Sequence, residues 1–292
     1  MSVAKSIEAA YDESTALFRG LRMYGWGPLL NLGYFRIREL PLLALGLGFF
    51  QRRLALESLA LLDPRAGERV LDVACGRGWT TDRIARRGAY ALGLDLLERH
   101  VAEARRRFGE GPRLRFVEGD AGALPVGDAS FDKILCLEAG FQLGPEGRLA
   151  FLREAFRALR PGGRLVMVDF VWTTLDPAEI DAFDVDRAVR DTWRFEEFEP
   201  LERYRKRAAA CGFTEVRTVD WTTPVLHRFQ AVGDLITTLG LYRVPRWILC
   251  LFRPAWRRAP LEDWFEVHRV VQAHSRVRER TRYLAYVLEK PA

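Results

Sequence analysis

The 292-residue chain is poor in cysteine, lysine and histidine, and each shortage removes a class of function. Its four cysteines, at positions 75, 136, 211 and 250, have neither the close pairing of a zinc site nor the density of a disulfide-stapled secreted domain. A reducing cytoplasm suits them, and Cys75, inside a run of small residues, reads as packing. The four histidines, at 100, 227, 268 and 274, do not cluster with carboxylates at ligand spacing, so no metal centre is expected. Lysine occurs only at 5, 133, 206 and 290. The formal charge of +6 is therefore carried by arginines, interleaved with acids in the manner of solvated helix faces. That pattern argues against a nucleic-acid partner. A long apolar run is also missing. The stretch 40–50 is too short for the ~20 residues of a membrane span, and Pro41, Gly46 and Gly48 interrupt it. No signal peptide is visible and no repeat is found.

What is present is an ordinary globular composition, 49% hydrophobic and 29% charged, in a length that suits one large domain or one domain with an insertion. The run 69–79, RVLDVACGRGW, reads as a buried strand entering a turn with Gly76 and Gly78, followed by a helix from about Thr80. Glycines there let backbone N–H groups approach a ligand closely. Asp72 falls near the strand end, where open α/β sheets bind ligands. A second short apolar strand ends in Asp95, the position from which an acid commonly binds ribose hydroxyls. A third signal is FVEGDA at 116–121. A dinucleotide-type Rossmann loop would need a third glycine, and position 81 is threonine.

This ordered set resembles the class I S-adenosylmethionine-dependent methyltransferases of small molecules. The likeness continues through LPVGDASFDKIL at 124–135 and LRPGGRLVMVD at 159–169, so it is strongest over about 66–171. It implies S-adenosyl-L-methionine as cofactor, with S-adenosyl-L-homocysteine as product. It also implies a doubly wound, Rossmann-like sheet of seven mostly parallel strands. Asp72, Ala74, Gly76 and Gly78 should surround the amino-acid end of the cofactor. Asp95 should bind the ribose, with Leu96 flanking the adenine and Asp120 and Ala121 at its edge. Leu137 and Glu138 should border the methionine portion and the methyl group. Relatives often carry EAAxH where this chain has EAGFQ at 138–142, so Gln142 replaces a histidine base. An amide does not titrate. Base-methylating relatives carry Asp/Asn-Pro-Pro-Tyr after the fourth strand, whereas residues 136–139 are CLEA, a second argument against nucleic acid.

The N-terminal segment is similar to the aromatic region of sterol C-methyltransferases. YGWG stands at 24–27, after Tyr11, and Asn31 stands where that family has histidine. The resemblance implies a hydrophobic acceptor bound by Tyr24, Trp26, Asn31 and Tyr34. Tyr11 and these rings would stabilise a developing cation, and Glu138 would take the proton. The same aromatics could equally pack the preface.

Along the chain, residues 1–62 read as a helical lid and 63–292 as the methyltransferase domain, with a helical lid inserted at about 224–280. Strands are expected at 69–73, 90–94, 113–117, 131–137, 164–170, 214–222 and 282–290. Helices are expected at 3–19, 49–62, 177–190 and 201–213, and from about 80, 97 and 147. The apolar stretches 40–50 and 247–252 would roof a greasy pocket. The expected activity is methyl transfer to an isoprenoid, sterol-like or polyketide-type molecule, with carbon as a candidate acceptor, by a cytoplasmic monomer or homodimer. Two alternatives remain open: O- or N-methylation of a natural product, and cyclase or isomerase chemistry on the same fold. The basic, Trp-containing stretch 243–258 leaves peripheral membrane contact open.

Overall fold

The computed structural model describes residues 8, 16–23, 26, 29–252 and 254–292. The chain divides into two compact units. One comprises residues 1–54, 173–194 and 221–282; the other comprises 55–172, 195–220 and 283–292.

The second unit is built on a seven-stranded sheet of order β3-β2-β1-β4-β5-β7-β6. Its strands are β1 (Arg69–Val73), β2 (Tyr90–Asp95), β3 (Leu114–Glu118), β4 (Phe131–Leu137), β5 (Leu159–Trp172), β6 (Thr214–Asp220) and β7 (Thr281–Glu289). The first five pair in parallel, and β6 runs antiparallel to β7. This is the doubly wound, mostly parallel sheet expected. Alternation places Leu71 and Val73, Ile134 and Cys136, Leu165 and Met167, and Leu284, Tyr286 and Leu288 in one cluster. Helices α5 (Gly144–Ala158) and α8 (Leu201–Ala210) add Phe151, Leu152, Ala155, Tyr204 and Ala208 to it. The connections α3 (Trp79–Ala85) and α4 (Glu98–Phe108) complete the βαβ units. Strand β5 starts five residues earlier than expected, because Leu159 already pairs with Phe131 across a register shift.

The first unit is helical. Its elements are α1 (Ala16–Met23), a 3-10 segment Ile37–Leu45, the start of α2 (Gly48–Leu62), α6 (Pro177–Phe183), α7 (Ala188–Trp193), α9 (Arg228–Leu241), α10 (Arg243–Phe252) and α11 (Leu261–Val277). Helix α9 approaches α11 so closely that a Cβ on Gly240 would lie 2.0 Å from the Trp264 ring. Arg19 pairs with Asp263 at 2.8 Å. Three expectations need correction. The single helix over 177–190 is two helices, because Asp186 and Arg187 take positive φ (55° and 54°) between them. The apolar stretch 40–50 is spent internally: Leu40, Leu42, Leu43 and Phe49 pack on Trp26, Phe35, Leu47 and Phe50. In 247–252, by contrast, Trp247, Ile248 and Leu251 are exposed. Most of the helix expected at 3–19 lies outside the described residues. Among the described residues no helix is long and apolar enough to cross a membrane.

Candidate active site

Because β1, β2, β4 and β5 are parallel, their carboxyl ends share one edge of the sheet. Between β1 and β4 the strand order reverses, which makes the crevice where open α/β sheets take ligands.

At the β1/β2 end, the loop after Val73 holds three left-handed residues, Ala74 (φ 55°), Gly76 (54°) and Gly78 (80°). A non-glycine residue there is strained and persists only when its surroundings impose it. Gly76 N–H donates to Asp95 Oδ2 at 2.8 Å. Asp95 Oδ1 accepts from Leu97 N–H at 3.0 Å and faces His100 Nδ1 at 3.0 Å. A carboxylate has about four acceptor positions, so Asp95 keeps capacity on Oδ2 for a ligand hydroxyl. Strand β2 passes directly beneath the loop, since a Cβ on Gly93 would lie 2.8 Å from Thr81 Oγ1 and 2.9 Å from Cys75 Sγ. Gly78 lacks a side chain for a packing reason: a Cβ would lie 2.7 Å from both Ala104 and Phe116. Asp72 does not cap the helix. It accepts from Thr81 Oγ1 at 2.6 Å, and burial, aided by the Asp95 charge, pushes its pKa up to about 7. Burial, with Asp72 and Asp95, also raises the Cys75 thiol, which removes it as a nucleophile.

Asp120 is exposed and accepts from Gly122 N–H at 2.8 Å, closing its own turn, while Ala121 joins the sheet core. Leu96 and Leu137 are half-buried.

The β4/β5 end is aromatic. Glu138, one residue past β4, is buried with φ 52°, and its N–H donates to Val168 O at 2.7 Å. Its Oε1 accepts from the Tyr283 hydroxyl on β7. Burial, and then the Glu138 charge, holds the Tyr283 phenol well above its ordinary pKa, so it stays a donor. Next to it, Asp169 accepts from Tyr204 Oη and from Phe170 N–H, both at 2.9 Å, and burial pushes its pKa up to about 7. Gly140 must be glycine here, as a Cβ would lie 2.5 Å from Asp169 Oδ2. Around these carboxyls Phe170 meets Tyr283 edge-on at 5.0 Å and Phe141 at 5.5 Å, and Phe195 stacks on Phe198 at 4.2 Å. Gln142 Nε2 is buried without a hydrogen-bond partner among the described residues.

The structure therefore brings Asp72, Ala74, Gly76, Gly78 and Asp95 together at one end and Leu137, Glu138 and Gln142 at the other. In the first unit Trp26 is buried against Phe35, Leu47 and Phe50. The Asn31 carbonyl accepts from Gln51 Nε2 at 2.8 Å, and Tyr34 meets Trp221 edge-on at 5.7 Å. Trp26 and Tyr34 thus have packing partners, whereas Asn31 Oδ1 and Trp26 Nε1 are buried without a hydrogen-bond partner among the described residues. Tyr11 and Tyr24 lie outside the described residues. Sequence reasoning missed His100, Thr81, Asp169 and Tyr283. Tyr283 carried a signal, since a buried phenol usually finds a hydrogen-bond partner. Among the described residues no group of three or more His, Cys, Asp or Glu is placed to hold a metal ion.

The Methyltransferase domain family matches residues 70–163. The chain is 30% identical to the 2-methyl-6-phytyl-1,4-hydroquinone methyltransferase of Synechocystis sp. over 76% of its own length and 70% of that relative. The chain belongs to the class I S-adenosylmethionine-dependent methyltransferases. Another member, the demethylmenaquinone methyltransferase of Beutenbergia cavernae, is 40% identical over 44% of this chain and half of the relative. The cyclopropane synthase MmaA2 from Mycobacterium tuberculosis has the same fold, with a TM-score of 0.72 over 98% of both chains at 18% identity. The cofactor of this methyltransferase is S-adenosyl-L-methionine. The residues at the β1/β2 end fit it: Gly76 and Gly78 leave the loop backbone open to close approach, and the Asp95 carboxylate is fixed by the Gly76 and Leu97 N–H groups.

Proposed function

We propose that this methyltransferase transfers a methyl group to a ring carbon of a hydrophobic, prenylated hydroquinone, with Glu138 as the proton acceptor. The observation that carries the reading is a buried carboxylate, held by a phenol and walled by aromatic rings, just past β4. The acceptors named for the two relatives above support the substrate class. Asp95 binds the ribose hydroxyls, and the loop from Ala74 to Gly78 makes room for the amino-acid end.

When bound, the cofactor supplies a methyl group already activated by its sulfonium charge, so the chain's task is placement, water exclusion and one proton. Gln142 Nε2 donates to an acceptor oxygen and orients the ring. The faces of Phe141 and Phe170 stabilise positive charge on the ring as the new C–C bond forms, more strongly where water is excluded. Glu138 then removes the ring proton and restores aromaticity. Tyr283 keeps Glu138 in one orientation by donating its hydroxyl to Oε1.

The test incubates the chain with S-adenosyl-L-methionine and a prenylated hydroquinone carrying deuterium at its free ring positions. The reading expects S-adenosyl-L-homocysteine and a product that has gained a methyl group and lost one deuterium. A methylated product retaining all its deuterium would mean O-methylation and overturn the carbon assignment. Conversion without S-adenosyl-L-homocysteine would indicate cyclase or isomerase chemistry.

A further inference from the structure

Helix α10 (Arg243–Phe252) presents its apolar side outward. Val244, Trp247, Ile248 and Leu251 are spaced i, i+3, i+4 and i+7, one stripe of a helix. They are 68%, 62%, 45% and 49% exposed. The inward side contributes Cys250, which packs with half-buried Leu249 on Trp256 and Trp264. Tyr242, immediately before the helix, is also exposed. Single exposed apolar residues need no explanation, but a complete stripe does, because apolar side chains left in water forgo the stabilisation of burial.

The charge around the stripe is one-sided. Between Asp234 and Glu262 there is no acid, while the same stretch holds Arg243, Arg246, Arg253, Arg257 and Arg258. Arg243 and Arg257 are exposed. Four side chains on one helical stripe fall short of the roughly 800 Å² per partner that a specific protein interface buries. A bilayer surface makes no such demand. It requires an apolar face, preferably with a tryptophan, and basic groups at the level of the headgroups.

We propose that α10 docks the protein on a bilayer rich in anionic lipid. Val244, Trp247, Ile248 and Leu251 enter the boundary between headgroups and acyl chains, and the flanking arginines bind lipid phosphates. The docking stands on this face alone, whichever acceptor the enzyme methylates.

The test is flotation of the full chain with vesicles of phosphatidylcholine, with and without phosphatidylglycerol. Binding is expected to favour the phosphatidylglycerol vesicles and to weaken as salt rises. Trp247→Glu combined with Leu251→Glu should reduce the bound fraction at least about tenfold while S-adenosyl-L-methionine binding persists, which controls for folding. Arg243→Ser combined with Arg257→Ser should remove the preference for phosphatidylglycerol. No flotation of the wild type, or flotation that survives the Trp247→Glu/Leu251→Glu pair, overturns the proposal. A lipid-free dimer that this pair splits also overturns it and assigns the stripe to a second copy of the chain.

Discussion

The carboxyl ends of β1 and β2 and those of β4 and β5 each carry two buried acids, yet they are made of opposite materials. Asp95, at the end of β2, is held by two backbone N–H groups and one imidazole beside the glycine-containing loop after β1. Glu138 and Asp169 are held by two phenols among aromatic rings. The first environment suits a polar, charged donor molecule; the second suits an apolar acceptor and a proton. The difference teaches that the two ends are built separately, so under the proposed function a substitution at one end should leave the other largely unchanged.

The sharpest way to break that comparison is Glu138→Gln. Turnover should fall about 10²–10⁴-fold, the usual contribution of a positioned base, in steady-state assays with saturating cofactor. Tyr283→Phe should cost roughly tenfold, the worth of one hydrogen bond to a charged group. It should also move the pH profile of turnover, whereas a purely structural role would leave the profile in place. Gln142→Leu should raise the acceptor KM several-fold, roughly one neutral hydrogen bond, and leave kcat nearly unchanged.

The smallest effect is on stability. Burial places the Asp169 pKa at about 7, above the 3.8 of an exposed aspartate. Between those values the folded protein holds a proton that the unfolded chain has lost. The stability from this group is therefore complete below about pH 4 and disappears as pH rises through 7. Asp169→Asn should flatten that part of the thermal midpoint curve, with the difference from wild type growing to a few degrees by pH 8. A difference that stays constant with pH would show that Asp169 is charged in the fold.

The β1/β2 end was largely legible because its chemistry is local. Asp72, Gly76 and Gly78 lie in one run, and Asp95 follows at a characteristic distance. His100 escaped although it stands only five residues beyond Asp95, since nothing in a lone histidine says that it turns back. The β4/β5 end was only half legible. Glu138 lay in a recognisable segment, but its partner Tyr283 lies 145 residues away and is joined to it only by the strand order. The sequence offered Tyr11, Tyr24, Trp26 and Tyr34 as the aromatic surround, of which Tyr11 and Tyr24 lie outside the described residues, and gave no sign that Phe170, the ring against Tyr283, packs with Phe141 and Phe198. The broken helix over 177–190 was hidden for another reason, since Arg187 carries no signal for a positive φ and Asp186, though of a type enriched there, equally fits a solvated helix face.

Calorimetric titration of S-adenosyl-L-methionine into Asp95→Ala and Glu138→Gln, with turnover measured on the same preparations, tests the division of labour most directly. The account predicts that Asp95→Ala weakens cofactor affinity at least about tenfold, through loss of a charge-assisted hydrogen bond. It predicts that Glu138→Gln binds the cofactor as tightly as the wild type and makes almost no product. Near-normal turnover in Glu138→Gln, or unchanged affinity in Asp95→Ala, would contradict it.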